Sequence, residues 1–352
     1  MIYNRAIKNY FGKRSNPTYG LTPFSLGRSA INFLILKLNI KVVYLPALIC
    51  PIVVDLFLKK DIKVFFYENL DENLKTNQAA IVSSIKKKHY EDCFFFWHDY
   101  LGIIGDIPTN VKAILETKQI KTIVDASHTL PIIRYDADYV VYGFRKIIKS
   151  PFGAFVLSNK NLNIKENTDY PGYSVRKKCY EVLFNFKLAI LLLLKKINSN
   201  KLLFFEKILS NIDKRFNPDL VDSFFEDSKI YPKILALYKK VDLDFISKKR
   251  LENFHIYNNN FKGFDFISNS PPLGYPLKVK DSSVLRTMLW AKGIHTFIFW
   301  KELHNLCPEN LKNKFENIAN SYLILPVNQD LSFEEIQEVI ENINAQKNLL
   351  SN

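Results

Sequence analysis

The chain has 352 residues, of which 47% are hydrophobic and 24% charged, proportions that exclude a disordered protein and are typical of a globular one. This length can bury one large core or two unequal cores. The formal net charge is +14, but residues 176–215 alone hold ten Lys and Arg against three Asp and Glu. Because half of the excess charge lies in one segment and no nucleic-acid-binding motif accompanies it, we do not expect nucleic-acid binding.

The cysteines and the N-terminus indicate the compartment. Cys50, Cys93, Cys179 and Cys307 are scattered without CxxC spacing. This pattern predicts neither a zinc site nor a disulfide framework and favours a reducing environment. The first twenty residues lack the apolar core of a signal peptide. We therefore expect a cytoplasmic protein that binds no metal ion.

The first 160 residues alternate between helix and strand patterns. Residues 25–36 are typical of a loop that enters a helix, and residues 50–60 have helical spacing. The runs with the composition of buried strands are residues 42–48, 63–68, 93–100, 121–126, 138–144 and 153–158. This alternation predicts a mainly parallel sheet that is covered by helices on both faces.

The pattern changes after about residue 165. Residues 176–215 are typical of a basic and apolar helix, whose seven consecutive apolar residues are too few to span a bilayer. A buried helix with lysines at its ends and a helix on a membrane surface both fit this segment. Further on, Ser332 and Glu335 have the spacing of a capping box at the start of the last helix. We predict a large domain at residues 1–230 and a small α+β domain at residues 231–352.

Residues 120–159 hold the most informative pattern, an aspartate, a histidine and a lysine beside two predicted strands. Asp125 and His128 end the first strand, and Lys146 follows the second. Pyridoxal phosphate (PLP) requires a carboxylate that keeps its pyridine nitrogen protonated and a lysine that holds its aldehyde as a Schiff base. Neighbouring strands would bring both groups to one cleft. Taken singly, each residue also fits an ordinary polar position, but together they predict a PLP site.

Four stretches and the tail of the chain resemble the DegT/StrS-type nucleotide-sugar aminotransferases, which are PLP enzymes of the aspartate-aminotransferase fold (fold type I). The stretches are LGRSAINFLI, LPALICPIVVDLFLKKDIKVFFYE, IVDASH and GFRKIIKSPFGAFVLS, and the tail is LILPVNQDLSFEEIQEVIENI. The resemblance covers about residues 20–345, with a poor match at residues 176–230. It implies an α/β fold with a large, mainly parallel sheet domain and a small C-terminal α+β domain. It also implies a homodimer with the active site at the subunit boundary.

The resemblance implies catalytic roles for three residues. Asp125 would pair with the pyridinium N–H, and His128 would lie near the 3-hydroxyl of the ring. Lys146 would form the Schiff base and, once released, act as the base that moves a proton. Lys149 is a rival for the Schiff base, but the distance from Lys146 to Gly153 fits the lysine loop of the family better.

Four more residues would bind the cofactor. Gly27, Arg28 and Ser29 would meet its phosphate through backbone N–H groups at a helix N-terminus, and Arg28 could add its charge. Cys50 occupies the place where the family has a residue against the face of the cofactor, although a small packing residue fits that position too.

Several residues differ from the family pattern. Gly143 replaces a serine that helps to hold the phosphate, Phe152 replaces a frequent acidic residue, and Ala154 replaces the second of two glycines. His98 resembles the histidine of a family strand, and Trp97 fits a place in the core equally well. The differences bear on phosphate affinity and on recognition of a sugar nucleotide, and they leave the Asp–His–Lys set intact.

The resemblance implies transfer of an amino group from an amino acid such as glutamate to a nucleotide-linked keto-sugar, for the synthesis of surface polysaccharide or lipopolysaccharide. Related sugar dehydratases carry histidine in place of the lysine, so Lys146 favours transamination. One alternative is a PLP-fold protein with divergent or lost chemistry, such as a lyase or an enzyme with another acceptor. A peripheral membrane protein that binds through residues 176–215 is compatible with either interpretation.

Overall fold

The structure is a computed structural model, and each element below belongs to the residues that it describes. These are residues 10–13, 15–18, 20–87, 92–159, 181–186, 189–190, 233–261, 270–298, 300 and 303–351. The predicted basic segment at residues 176–215 lies mostly outside this set, and its two described pieces, residues 181–186 and 189–190, are helical. Among the described residues, no helix is both long and apolar enough to cross a membrane.

A seven-stranded sheet with the order β1-β7-β6-β5-β4-β2-β3 forms the centre of the N-terminal part. Its strands are β1 (Leu21–Phe24), β2 (Val42–Pro46), β3 (Lys63–Tyr67), β4 (Cys93–His98), β5 (Lys121–Ala126), β6 (Tyr139–Tyr142) and β7 (Ala154–Ser158). Only β7 is antiparallel to its neighbours, so the other six strands run in one direction. The predicted mainly parallel sheet is confirmed. The sequence does not predict β1, because four residues are too few to show a clear period.

Helices cover both faces of this sheet, as the alternation of strand and helix patterns predicts. They are α1 (Gly27–Leu38), α2 (Pro51–Leu58), α3 (Gln78–Lys87) and α4 (Thr109–Thr117). Successive side chains of a strand point to opposite faces. In β4, Phe94 and Phe96 therefore join a core with α1 and α2, whereas Phe95 and Trp97 join a core with α3 and α4. Both faces are buried, which explains the nearly continuous apolar runs of these strands.

The C-terminal part contains a two-stranded antiparallel sheet of β8 (Gly274–Lys278) and β9 (Tyr322–Pro326). Its helices are α5 (Lys233–Lys240), α6 (Leu243–Phe261), α7 (Ser282–Ala291), α8 (Glu309–Ser321) and α9 (Phe333–Asn344). α5 contacts β1, whereas α6 contacts β8 and α9. Ser332 and Glu335 form the predicted capping box at the start of α9. The predicted domain boundary near residue 230 lies outside the described residues and stays a prediction.

The carboxyl ends of three parallel strands bring polar residues together at one edge of the large sheet. His98 ends β4 and pairs in register with Asp125 of β5. β6 ends just before Gly143, and a 3-10 turn, Phe144–Lys146, follows directly. Ligands of open α/β sheets bind at this edge. The fold thus brings His98, Asp125 and Lys146 to one place.

Candidate active site

A cavity of about 260 Å³ opens at this edge of the sheet. The charged residues that line it are Arg28, Arg145 and Lys146 on the positive side and Asp125 on the negative side. The excess of positive charge suits an anionic ligand. The cavity is therefore built for a molecule that carries negative charge.

The start of α1 forms one wall of this cavity. Gly27 and Arg28 line it, and the preceding residue, Leu26, makes no side-chain cap. The first turn of α1 contains no acidic residue. The backbone N–H groups of a first helical turn and the positive end of the helix dipole favour an anion at such a helix start. Ser29 is fully buried and does not line the cavity, and its Oγ lies 3.1 Å from the Oγ of Ser25.

Asp125 is buried at the floor of the cavity and faces a histidine. Its Oδ2 lies 2.9 Å from Nδ1 of His98. Its Oδ1 accepts a hydrogen bond of 3.0 Å from the backbone N–H of Ser127. Burial alone would raise the pKa of the Asp125 carboxyl, but His98, Lys146 and the Ser127 hydroxyl outweigh burial and lower the pKa. Asp125 is therefore an anion that can pair with a cationic group of a ligand.

His128 is buried beside the cavity and does not line it. Its Nδ1 accepts a hydrogen bond of 3.0 Å from the N–H of Leu101, a residue in the left-handed region with a φ of 57°. Burial, reinforced by Lys146 and His98, lowers the pKa of His128 well below its usual value, so the ring is neutral. The hydrogen bond helps to hold strained backbone at Leu101. The predicted contact of His128 with the cofactor hydroxyl stays a prediction.

Lys146 ends the 3-10 turn and extends its amine into the cavity. The Nζ donates a hydrogen bond of 3.4 Å to Oγ of Ser127. Burial lowers the pKa of Lys146 to about 8, an effect that Asp125 opposes. A neutral amine, and hence a nucleophile, is therefore accessible close to neutral pH. Lys149 does not line the cavity, so the geometry favours Lys146 as the reactive lysine.

Two positions that differ from the family pattern are explained by packing. Phe152 is 1% exposed and belongs to the core, where an acidic residue would be buried. Ala154 starts β7 and pairs with Phe24 of β1. Trp97 is buried as well, and its Nε1 donates to the carbonyl of Gly105 at 2.9 Å. These residues support the cavity without lining it.

Cys50 lies at the start of α2, where it lines the cavity as a free, half-buried thiol. Besides several aliphatic residues, the lining includes a charged, a hydroxyl-bearing and an aromatic residue that are absent from the set that the sequence predicts: Arg145, Ser127 and Trp300. The sequence does show Ser127 two positions after Asp125 and Arg145 directly before Lys146, so both could have been predicted as lining residues. Trp300 gave no signal, because it lies between α7 and α8 and reaches the cavity only through the tertiary fold.

The indole ring of Trp300 packs against His98 and His128 and forms an aromatic wall of the cavity. Its ring centroid lies 6.1 Å from that of His128 with an interplanar angle of 23°, and 5.7 Å from that of His98. Tyr100 lies edge-on to the same indole at 6.2 Å. An indole face at a cavity wall offers an apolar surface to a planar or ring-shaped ligand.

A buried chain of hydrogen bonds connects the C-terminal part to the lysine turn. Gln329, which follows β9, donates from Nε2 to the carbonyl of Ile147 at 3.0 Å. Its Oε1 accepts from Nε of Arg250 on α6 at 3.0 Å, and Arg250 also donates to the carbonyl of Pro272 at 2.7 Å. Burial lowers the pKa of Arg250 to about 9, an effect that Asp330 opposes. Ile147, which follows Lys146, is thus held by a side chain from the C-terminal part of the protein.

The sequence of the chain matches no protein-family model and no curated protein. Its structure is similar to solved aminotransferases. A DegT/DnrJ/EryC1/StrS aminotransferase from Brucella abortus is 14% identical with a TM-score of 0.59, over 92% of this chain and 85% of that one. The sugar aminotransferase CalS13 from Micromonospora echinospora is 13% identical with a TM-score of 0.54, over 93% and 87%. NtdA from Bacillus subtilis, with bound pyridoxamine phosphate (PMP), is 13% identical with a TM-score of 0.59, over 92% and 72%.

These identities are low, so the likeness concerns the fold. It extends over 92% of this chain and 85% of the Brucella abortus protein. The resemblance that the sequence motifs predict is confirmed at this level. The chain has the fold of the fold type I PLP-dependent aminotransferases.

Proposed function

We propose that the protein is a PLP-dependent aminotransferase that transfers an amino group from an amino acid, with glutamate as the expected donor, to a nucleotide-linked keto-sugar. Synthesis of surface polysaccharide or lipopolysaccharide is the expected use of the product. The descriptions of the structural neighbours as aminotransferases, one of them of sugars, support the reaction class. The nucleotide, the donor and the use of the product rest on the sequence resemblance.

One observation carries the proposal: a buried carboxylate anion and a lysine of lowered pKa face the same positively charged cavity. Asp125 and Lys146 both line it, and the start of α1 with Arg28 and Arg145 supplies positive charge. These groups fit the ring nitrogen, the aldehyde and the phosphate of PLP, respectively. Bound PLP would supply an electron sink that stabilises negative charge at the substrate carbon.

The residues of the chain divide the remaining work. Asp125 would hold a proton on the ring nitrogen, and His98 would keep Asp125 ionised and oriented. The Lys146 amine would hold the cofactor at rest and, after its release, carry a proton between two carbon atoms. The start of α1 and the two arginines would bind phosphate and exclude bulk water from that end of the cavity.

An absorbance titration with and without glutamate tests the reaction. Purified protein with PLP should develop a visible band, and glutamate should convert this band to one at shorter wavelength. Lys146→Ala should abolish the band and turnover together, whereas Lys149→Ala should keep both. A band that glutamate leaves unchanged would favour the alternative of divergent chemistry on the same fold. Absence of the band in the wild-type protein would contradict the enzyme function.

Two further proposals concern partners. The resemblance implies a homodimer, which light scattering of the purified protein would test directly. Contact of residues 176–215 with a membrane surface is the second proposal, and it rests on their charge and apolar content alone. Sedimentation with anionic liposomes should then decline when the lysines of this segment are neutralised, and unchanged sedimentation would contradict it.

A further inference from the structure

The glycine at position 143 is a consequence of how closely two strand ends approach each other. A Cβ added to Gly143 would lie 2.2 Å from the carbonyl oxygen and 2.8 Å from Cα of Ser127. Both atoms are backbone, so no rotation of a side chain could make room. Position 143 therefore cannot supply a hydroxyl to this site, whereas position 127 carries one.

The turn after β5 fixes the direction of the Ser127 side chain. The Ser127 N–H donates to Oδ1 of Asp125 at 3.0 Å, and the N–H of Thr129 closes the turn on the carbonyl of Ala126 at 3.1 Å. On its open side, Ser127 faces the start of α1, where a Cβ on Gly27 would lie 3.9 Å from Cβ of Ser127. Ser127 is only 7% exposed and its hydroxyl accepts the hydrogen bond from Lys146 at 3.4 Å.

We propose that Ser127 is a positioning residue for the Lys146 amine, and that its hydroxyl holds the amine near Asp125 whenever the amine is not bonded to a ligand. The inference deepens the proposed function, since it concerns the lysine of the same site. A hydroxyl oxygen stabilises an ammonium group more than a neutral amine, because the hydrogen bond to the charged form is stronger. Ser127 should therefore keep the pKa of Lys146 higher than burial alone would leave it.

Several other charged and titratable groups surround the amine, and they include His98 in the cavity wall and the buried His128. Burial is the largest influence on the pKa of Lys146 and lowers it. Asp125 and Cys50 raise this pKa, whereas Arg145 and Arg28 lower it further. The Ser127 hydroxyl also helps to lower the pKa of Asp125, but His98 and Lys146 lower that pKa more strongly, so Asp125 remains ionised in Ser127→Ala. A change in the titration of Lys146 in Ser127→Ala can then be assigned to the hydrogen bond.

Acetylation with acetic anhydride across a pH series tests this inference in protein freed of cofactor. Peptide mass spectrometry would give the acetylation rate of Lys146 at each pH, since only the neutral amine reacts. We expect Ser127→Ala to lower the pH midpoint by about half to one unit, and so to raise the rate below the midpoint about three- to tenfold. Ser127→Thr, which keeps the hydroxyl, should have the wild-type midpoint. Lys149, measured in the same digests, serves as the internal control and should not change.

An unchanged midpoint in Ser127→Ala, or an equal shift in Ser127→Thr, would overturn the inference. Thermal unfolding of each variant, with Ser84→Ala on the distant helix α3 as a matched control, separates a local effect from loss of the fold. The labelling requires no cofactor. Failure of PLP to bind would therefore contradict the proposed function without affecting this result, and a missing shift in a protein that binds PLP would contradict the inference alone.

Discussion

Restoring a side chain at position 143 should damage the site, although the family pattern has serine there. The Cβ of Gly143→Ala would lie 2.2 Å from the Ser127 carbonyl oxygen, at least 1.2 Å closer than the ordinary contact distance of 3.4 Å. Because the obstacle is backbone, relief requires that the end of β6 or the turn after β5 moves by about 1 Å. Overpacking of this kind typically costs about 1–3 kcal/mol. We expect a loss near the upper end of this range, since the turn directly follows the strand end that holds Asp125.

Urea unfolding of the cofactor-free protein measures this loss, and Gly27→Ala is the matched control. A Cβ on Gly27 would meet its nearest neighbour at an ordinary 3.9 Å, so we expect the urea midpoint of Gly27→Ala to stay close to that of the wild type. Gly143→Ala and Gly143→Ser should both unfold at lower urea and bind PLP more weakly. A Gly143→Ser variant as stable as wild type, or one with tighter PLP binding, would refute this account of the glycine.

Three further predictions follow from single contacts of the site. The rate at which cofactor-free protein captures PLP should rise as the pH increases through about 8, because the pKa of Lys146 is lowered to about 8 and only the neutral amine attacks. A stopped-flow pH series measures the midpoint of this rise, and a midpoint near 10.5 would contradict the prediction. His128→Leu should lower the free energy of unfolding in urea by about 1–3 kcal/mol, because the N–H of Leu101 loses its acceptor. His128→Asn, which can still accept a hydrogen bond, should lower it less, and equal losses would argue against this hydrogen bond. Gln329→Glu should keep its contact with Arg250 but repel the carbonyl of Ile147, so PLP should dissociate several-fold faster from a protein that remains folded. An unchanged dissociation rate would show that Gln329 does not stabilise the turn that contains Lys146.

Most of the large sheet could be predicted from the sequence, because its strands are buried on both faces and appear as nearly continuous apolar runs. The capping box at Ser332 was equally clear, since two side chains at fixed spacing satisfy each other's backbone groups. β1 was missed. It lies at the sheet edge beside β7, and its partners, residues 154–157, are at least 130 positions away in the chain.

The candidate site was only partly predictable. Asp125 lies at the end of one strand and Lys146 follows another, so both could be placed at one edge of the sheet, and Gly27 and Arg28 start the helix that the sequence predicts. Sequence patterns do not show which side chains point into a cavity. Trp300 was therefore not foreseen at its wall.

The physical reason for two unusual residues, Gly143 and Phe152, is apparent only in the tertiary fold. At position 143 the sequence shows a missing hydroxyl, whereas the structure shows a close approach to the backbone of Ser127, whose own hydroxyl accepts a hydrogen bond from Lys146. Phe152 likewise differs from the family pattern because it packs in the core. Both explanations depend on contacts between separate elements of the fold, so a motif compared position by position cannot show them.

The central claim is that Lys146 binds the cofactor in the cavity that also holds Asp125. Borohydride reduction of the protein after incubation with PLP, followed by peptide mass spectrometry, tests this claim most directly because it identifies the lysine that carries the cofactor. The account predicts that the label is found on Lys146 and is lost in Lys146→Ala. A label on Lys149, or one spread over surface lysines and unaffected by that substitution, would contradict it.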